Sequence, residues 1–330
     1  TNNTNQFIQA DQITKSINPV YGSIQLMRHR HGGLDVLAED KCFKIPTNKD
    51  ILFTADGSKQ VSVSSNVLGT PNPYTGEFGI SKNPESYTQY GYRAYFTDKA
   101  RGVVLRLSAD GLEPISRYGM SDYFRDNLAA ATTAIGSYDT VKKEYNLTLN
   151  FDTVSFKEDT NAWTSRKSFL QEEGLSLNNV YYTFKNGELW SHDNPIRNRF
   201  YDNPYNSSIK FIFNDVPGSV KQFKTLNYEG SQARIFQDNS GNADTDNYFL
   251  NKNLKAGWWT DSIVSDKQDG NILSFKEKEG KWFEFIQGTK TDGETPDTRE
   301  FSVQGLGNGS VSPSGDYVNK VTITINENND

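Results

Sequence analysis

Apolar and polar residues alternate along most of this chain in short runs, and each run ends in a cluster of Gly, Asn, Asp, Ser or Pro. That is the pattern of half-buried β-strands joined by tight turns. Tyr92-Arg93-Ala94-Tyr95-Phe96-Thr97-Asp98 predicts a strand, Lys99 to Gly102 a charged turn, and Val103 to Ser108 a second strand. Asp110-Gly111 then turns the chain into a third strand, Leu112 to Ser116. Strands in that order make an antiparallel meander. The sharpest hairpin signal is Tyr181-Tyr182-Thr183-Phe184-Lys185-Asn186-Gly187-Glu188-Leu189-Trp190. There Asn-Gly supplies the positive φ angles of a tight turn between two aromatic strands.

Similar units precede and follow. Ser23 to Met27, Gly33 to Leu37, Lys41 to Ile45 and Asp50 to Thr54 form a first set, closed by the turn Ala55-Asp56-Gly57. Thr133 to Tyr138, Glu144 to Leu149, Thr153 to Lys157 and Ala162 to Phe169 form another. A further unit begins near Ser208 to Phe213, and the last runs from Gly257 to Ile286. Ser155-Phe156-Lys157-Glu158 with Trp163 recurs as Ser274-Phe275-Lys276-Glu277 with Trp282, at the same spacing. Repetition of this kind points to an array. The expected fold is all-β: a β-propeller-like array of short antiparallel meander blades over residues 20–288. At roughly 40 to 50 residues per blade it would hold about five to seven blades.

Only Ser121 to about Ala131 reads as helix, a short insertion in which Ser121 caps the first turn and Tyr123, Phe124 and Leu128 share a face. Residues 1–19 form a polar, Asn/Gln-rich N-terminal arm that needs another surface to order it. Residues 289–330 form a linker and a small C-terminal β-module, with strands over Arg299 to Gly305 and Tyr317 to Ile325. The chain begins at Thr1 and reads as one segment of a longer protein.

Composition sharpens this picture. Aromatics make up 13% of the 330 residues, against two methionines and one cysteine, as in an all-β surface protein. With 35 basic and 41 acidic residues the formal charge is −6, and both signs are scattered, so no nucleic-acid ligand is expected. The lone Cys42 has no internal disulfide partner and reads as a strand position. No apolar run approaches the roughly 20 residues of a membrane-spanning helix, so no span is expected.

Candidate chemistry is sparse. His29 and His31 can face one side of a strand, but His192 is remote and no zinc-like spacing follows, so a solvated loop is the preferred reading. Asn242, Asp244 and Asp246 place hard oxygen ligands at alternate positions, as in half a calcium loop. Asn247 stands where an EF-hand needs Gly and Asn253 where it needs Glu, which leaves a polar turn as the competing reading. Ser108-Ala109-Asp110-Gly111 lacks the spacing of a sialidase Asp-box and reads as a turn. A glycoside hydrolase would need two carboxylates about 5 to 10 Å apart, and nothing selects a pair. Nucleophile elbow, Walker loop and dinucleotide fingerprint are absent, so neither an enzyme nor a cofactor is expected. Trp258 and Trp259 point to opposite faces of any strand, one into a core and one outward, where an indole can stack on sugar. Trp163, Trp190 and Trp282 read as core. Asn-x-Ser/Thr acceptors stand at Asn2, Asn146, Asn206 and Asn308.

Several phrases resemble large virion structural proteins of tailed bacteriophages, such as those of marine cyanobacterial and crAss-like phages. They are Tyr92 to Asp98 with Arg101 to Ser108, Gly136-Ser137-Tyr138-Asp139, Tyr145-Asn146-Leu147-Thr148-Leu149, and Lys224 to Ala233. The resemblance implies a non-enzymatic, tail-associated virion component with β-propeller-like domains, partnered by other virion proteins in a symmetric homo-oligomer. It carries over no catalytic residue. A carbohydrate-binding adhesin for host surface glycan is the alternative, and a propeller glycoside hydrolase ranks below it.

Overall fold

The computed structural model describes residues 15–30, 32–53, 59–195, 198–205, 207–213, 216, 219, 221–229, 236–237, 249–250, 257–265, 268–272, 275–291, 302–303 and 321–328. They are mostly β-sheet, arranged in several small antiparallel sheets, with the α-helix Ser121–Ala130. The chain divides into two compact units, Thr1–Pro195 and Ile196–Asp330.

Four sheets follow one another in the first unit. The first holds Ile24–Arg30, Gly33–Ala38, Cys42–Phe53 and Lys59–Leu68, with Asn72–Pro73 beside the third of these strands. The second holds Thr88–Tyr90, Arg93–Asp98, Val103–Ser108 and Gly111–Pro114. Ile135–Asp139, Glu144–Thr148, Thr153–Lys157 and Ala162–Lys167 make the third, and Glu173–Leu177, Val180–Lys185 and Glu188–Ser191 the fourth. Within the second and third, sequence neighbours pair antiparallel, so the meanders expected there form. In the first, the separate strands expected at Lys41 to Ile45 and Asp50 to Thr54 are one continuous strand, Cys42–Phe53.

Side-chain alternation explains how the sheets stack. In the second sheet Ala94, Phe96, Leu105 and Leu107 share a buried cluster with Leu37 and Cys42 of the first. The intervening Tyr95 and Val104 face the other way and pack with Tyr145, Leu147, Val154 and Phe156 of the third. A strand buried on both faces needs apolar residues in succession, which is why Val103-Val104-Leu105 reads as a continuous run. Tyr95 stacks on Tyr145 with ring centroids 4.9 Å apart. The helix adds Phe124 and Leu128 to the same cluster.

Two turns share one device. Asp98 and Asp139 each end a strand with a buried side chain. Asp98 accepts from the Arg101 N–H at 3.2 Å, and Asp139 from those of Val141 and Lys142 at 2.9 and 3.1 Å. Each turn closes on a left-handed residue, Gly102 or Lys143, so the carboxylate replaces hydrogen bonds that a tight turn cannot make within its own backbone.

In the second unit, Ser207–Phe213, Val321–Asn328, Gly257–Val264, Gln268–Asn271 and Gln287–Thr291 form a five-stranded sheet in that order. Thr225–Tyr228, Lys281–Phe285 and Lys276–Lys278 form a three-stranded one. Leu226, Ile263, Ile272, Phe275 and Ile286 make the core between them.

Two expectations require correction. The residue at the helix N-cap is Met120, and no side chain caps the first turn; Ser121 already lies within the helix. The repeated Ser-Phe-Lys-Glu hairpins also differ in register. Phe156 lies opposite Trp163 across a turn closed by left-handed Asn161, whereas Glu277 lies opposite Trp282 across the tighter turn Glu279-Gly280. Identical spacing therefore gives different pairing, because the turns use different numbers of residues.

Candidate functional site

The calcium candidates Asn242, Asp244 and Asp246 lie outside the described residues. Trp258 and Trp259 are in the strand Gly257–Val264. Trp258 is half-buried and packs against the core of the second unit. The Trp259 side chain lies outside the described residues. His29 is exposed on the first strand, and His31 is outside the described residues. Among the described residues no group of three or more His, Cys, Asp or Glu side chains is placed to hold a metal ion. Cys42 is buried, and burial pushes its thiol far above the usual range, which leaves it inert. Trp163 packs on the first unit's core and donates its indole N–H to the Ile115 carbonyl at 3.1 Å.

Two features stand out instead. One is the outer face of the fourth sheet. Leu175 lies opposite Tyr182, Leu177 opposite Val180, and Phe184 opposite Leu189. Alternation puts all six on one face, where Leu177 is 59% and Leu189 58% exposed. The apolar periodicity continues to the end of the stack even though the last face meets solvent.

The other is the opposite face of that sheet, where it meets the third. The seam is polar. Ser137 and Tyr181 hydroxyls each donate to Gln171 Oε1 at 2.8 Å, and Ser176 donates to the Tyr138 carbonyl at 2.8 Å. Gly174 permits this approach, since a Cβ there would lie 2.8 Å from Ser137 Cβ. His192 Nε2 lies 2.7 Å from Thr183 Oγ1 and its ring packs against Phe169 and Tyr181. Burial, only partly offset by Asp193, pulls the imidazole down to about 4.

Deeper in the seam, Glu144 and Asn146 project from one strand, Ser155 from the next and Lys167 from the edge strand. Lys167 Nζ donates to Glu144 Oε2 at 2.7 Å and to Asn146 Oδ1 at 2.9 Å. Ser155 Oγ donates to the same amide oxygen at 2.7 Å. Asn146 and Ser155 are fully buried, and Asn146 Nδ2 has no hydrogen-bond partner. Burial lowers the Lys167 ammonium below its ordinary value, with Glu144 opposing. Burial prevents Asn146 from serving as the glycan acceptor its Asn-Leu-Thr motif would allow, since such motifs carry no information about burial.

Residues 195–289 match the family model of the Crassvirus muzzle protein C-terminal domain. No curated protein matches the chain. The family match supports a virion protein of a crAss-like phage, with a structural role.

Proposed function

We propose that this chain is a non-enzymatic, tail-associated structural component of a crAss-like phage virion, assembling with other virion proteins and with copies of itself. The observation that carries the reading is the match of residues 195–289 to the muzzle protein domain. The stacked meanders of the first unit support a β-propeller-like arrangement of that part of the chain. The apolar outer face of the fourth sheet supports a protein partner, because exposed apolar patches of this kind mark interaction surfaces.

Assembly tests this directly. Size-exclusion chromatography with light scattering on the whole chain should show an oligomer, and Leu177→Asp with Leu189→Asp should shift it toward monomer without unfolding it. A monomer that binds host-surface polysaccharide would instead favour the adhesin reading.

A further inference from the structure

We propose that Lys167 and Asn146 become joined by an autocatalytic intramolecular isopeptide bond. The seam between the third and fourth sheets brings together the groups such a bond requires. Lys167 supplies an amine, held 2.9 Å from the oxygen of the Asn146 carboxamide. Ser155 Oγ donates to that oxygen at 2.7 Å and draws electron density from the amide carbon. Glu144 Oε2 touches the same amine at 2.7 Å and is placed to carry protons. Asn146 Nδ2, the leaving group, is buried and makes no hydrogen bond that would hold it back.

The step balances without a co-reactant. Glu144 takes a proton from the Lys167 ammonium, and the neutral amine attacks Asn146 Cγ. The new N–C bond pushes charge onto Oδ1, where the Ser155 hydroxyl holds it. Glu144 then passes a proton to Nδ2, the Cγ–Nδ2 bond breaks, and ammonia leaves. The amine's second proton goes with the departing nitrogen, which is released as ammonium. A secondary amide remains, and nothing is oxidised or reduced. Holding amine and carboxamide in contact replaces a bimolecular encounter with a unimolecular one, and burial favours the neutral amine that must attack.

The cross-link would have a mechanical consequence. Glu144–Thr148 and Ala162–Lys167 flank Thr153–Lys157, and Ala162–Lys167 ends the sheet. A bond from Asn146 to Lys167 would span the middle strand and fasten the edge strand, whose backbone hydrogen bonds have a partner on one side only. The competing account is a buried ammonium simply paired with Glu144.

Mass spectrometry separates the two. The whole chain, purified and denatured, should be lighter than its sequence mass by about 17 Da, one ammonia. A tryptic digest should contain a branched peptide joining the Asn146 and Lys167 segments. Lys167→Arg and Asn146→Ala should restore the full mass, and Glu144→Gln should leave the two peptides linear. A wild-type chain with both segments recovered as separate linear peptides would overturn the proposal, whatever the variants do. So would an ammonia loss mapped to a succinimide at Asn186-Gly187.

Discussion

Arg30 and Asp35 form an ion pair of 2.8 Å in which neither side chain is more than 4% exposed. Arg30 also donates to the Leu107 carbonyl at 3.3 Å, and Asp35 accepts from the Tyr74 hydroxyl at 2.8 Å. The pair therefore ties the first sheet to the second. Removing one member strands the other charge in the interior, which costs about 3–5 kcal/mol. Asp35→Ala should lower stability by that amount in denaturant unfolding. A loss below about 1 kcal/mol, the range of an exposed pair, would contradict this role.

Gly136 sits where the third sheet meets the segment before the second. A Cβ there would lie 2.0 Å from the Ser86 carbonyl oxygen and 2.7 Å from its carbon, both backbone atoms. Backbone cannot rotate away as a side chain would. Gly136→Ala should destabilise by about 1–3 kcal/mol or more, read as a lower midpoint in urea. An unchanged midpoint would mean the two segments do not touch.

His192 gives the first unit a pH dependence. Its folded value is about 4, against about 6.5 in an unfolded chain. As pH falls below the unfolded value, the unfolded state takes up the proton first, so stability is lost on acidification and is fully present above that value. Between pH 7 and pH 5.5 the loss should be about 1 kcal/mol, above the range where carboxylates titrate. Denaturant melts at the two pH values should show it, and His192→Gln should flatten the difference. A wild-type protein equally stable at both would refute the buried neutral imidazole.

Trp258 packs against the core around Leu226 and Phe275. Trp258→Ala should cost about 2–4 kcal/mol of stability by opening a cavity, detected by tryptophan fluorescence during unfolding. A variant of unchanged stability that lost affinity for a polysaccharide would make this indole a ligand platform instead.

Local pattern made much of the fold legible. Alternation located Arg93–Asp98 and Val103–Ser108, and Asn186-Gly187 gave the hairpin whose residues have φ of 54° and 76°. The apolar face of Ser121–Ala130 was equally plain, but its cap was not, because a serine beside a helix start can fall one position inside it. Pairing over long separations left no local trace. Val321–Asn328 sits between Ser207–Phe213 and Gly257–Val264, a choice made by complementary faces rather than by any turn. The cluster of Glu144, Asn146, Ser155 and Lys167 was hidden for a related reason. Each is an ordinary polar strand residue, and only pairing across three strands, covered by a fourth sheet, buries them together.

The central claim, a structural role in a phage virion, is tested most directly by a cryo-EM reconstruction of a crAss-like phage particle whose genome encodes this chain, at a resolution that places side chains. Density for this sequence at the tail, in symmetric copies contacting other virion proteins, is the predicted result. A mature particle complete without the chain would contradict it.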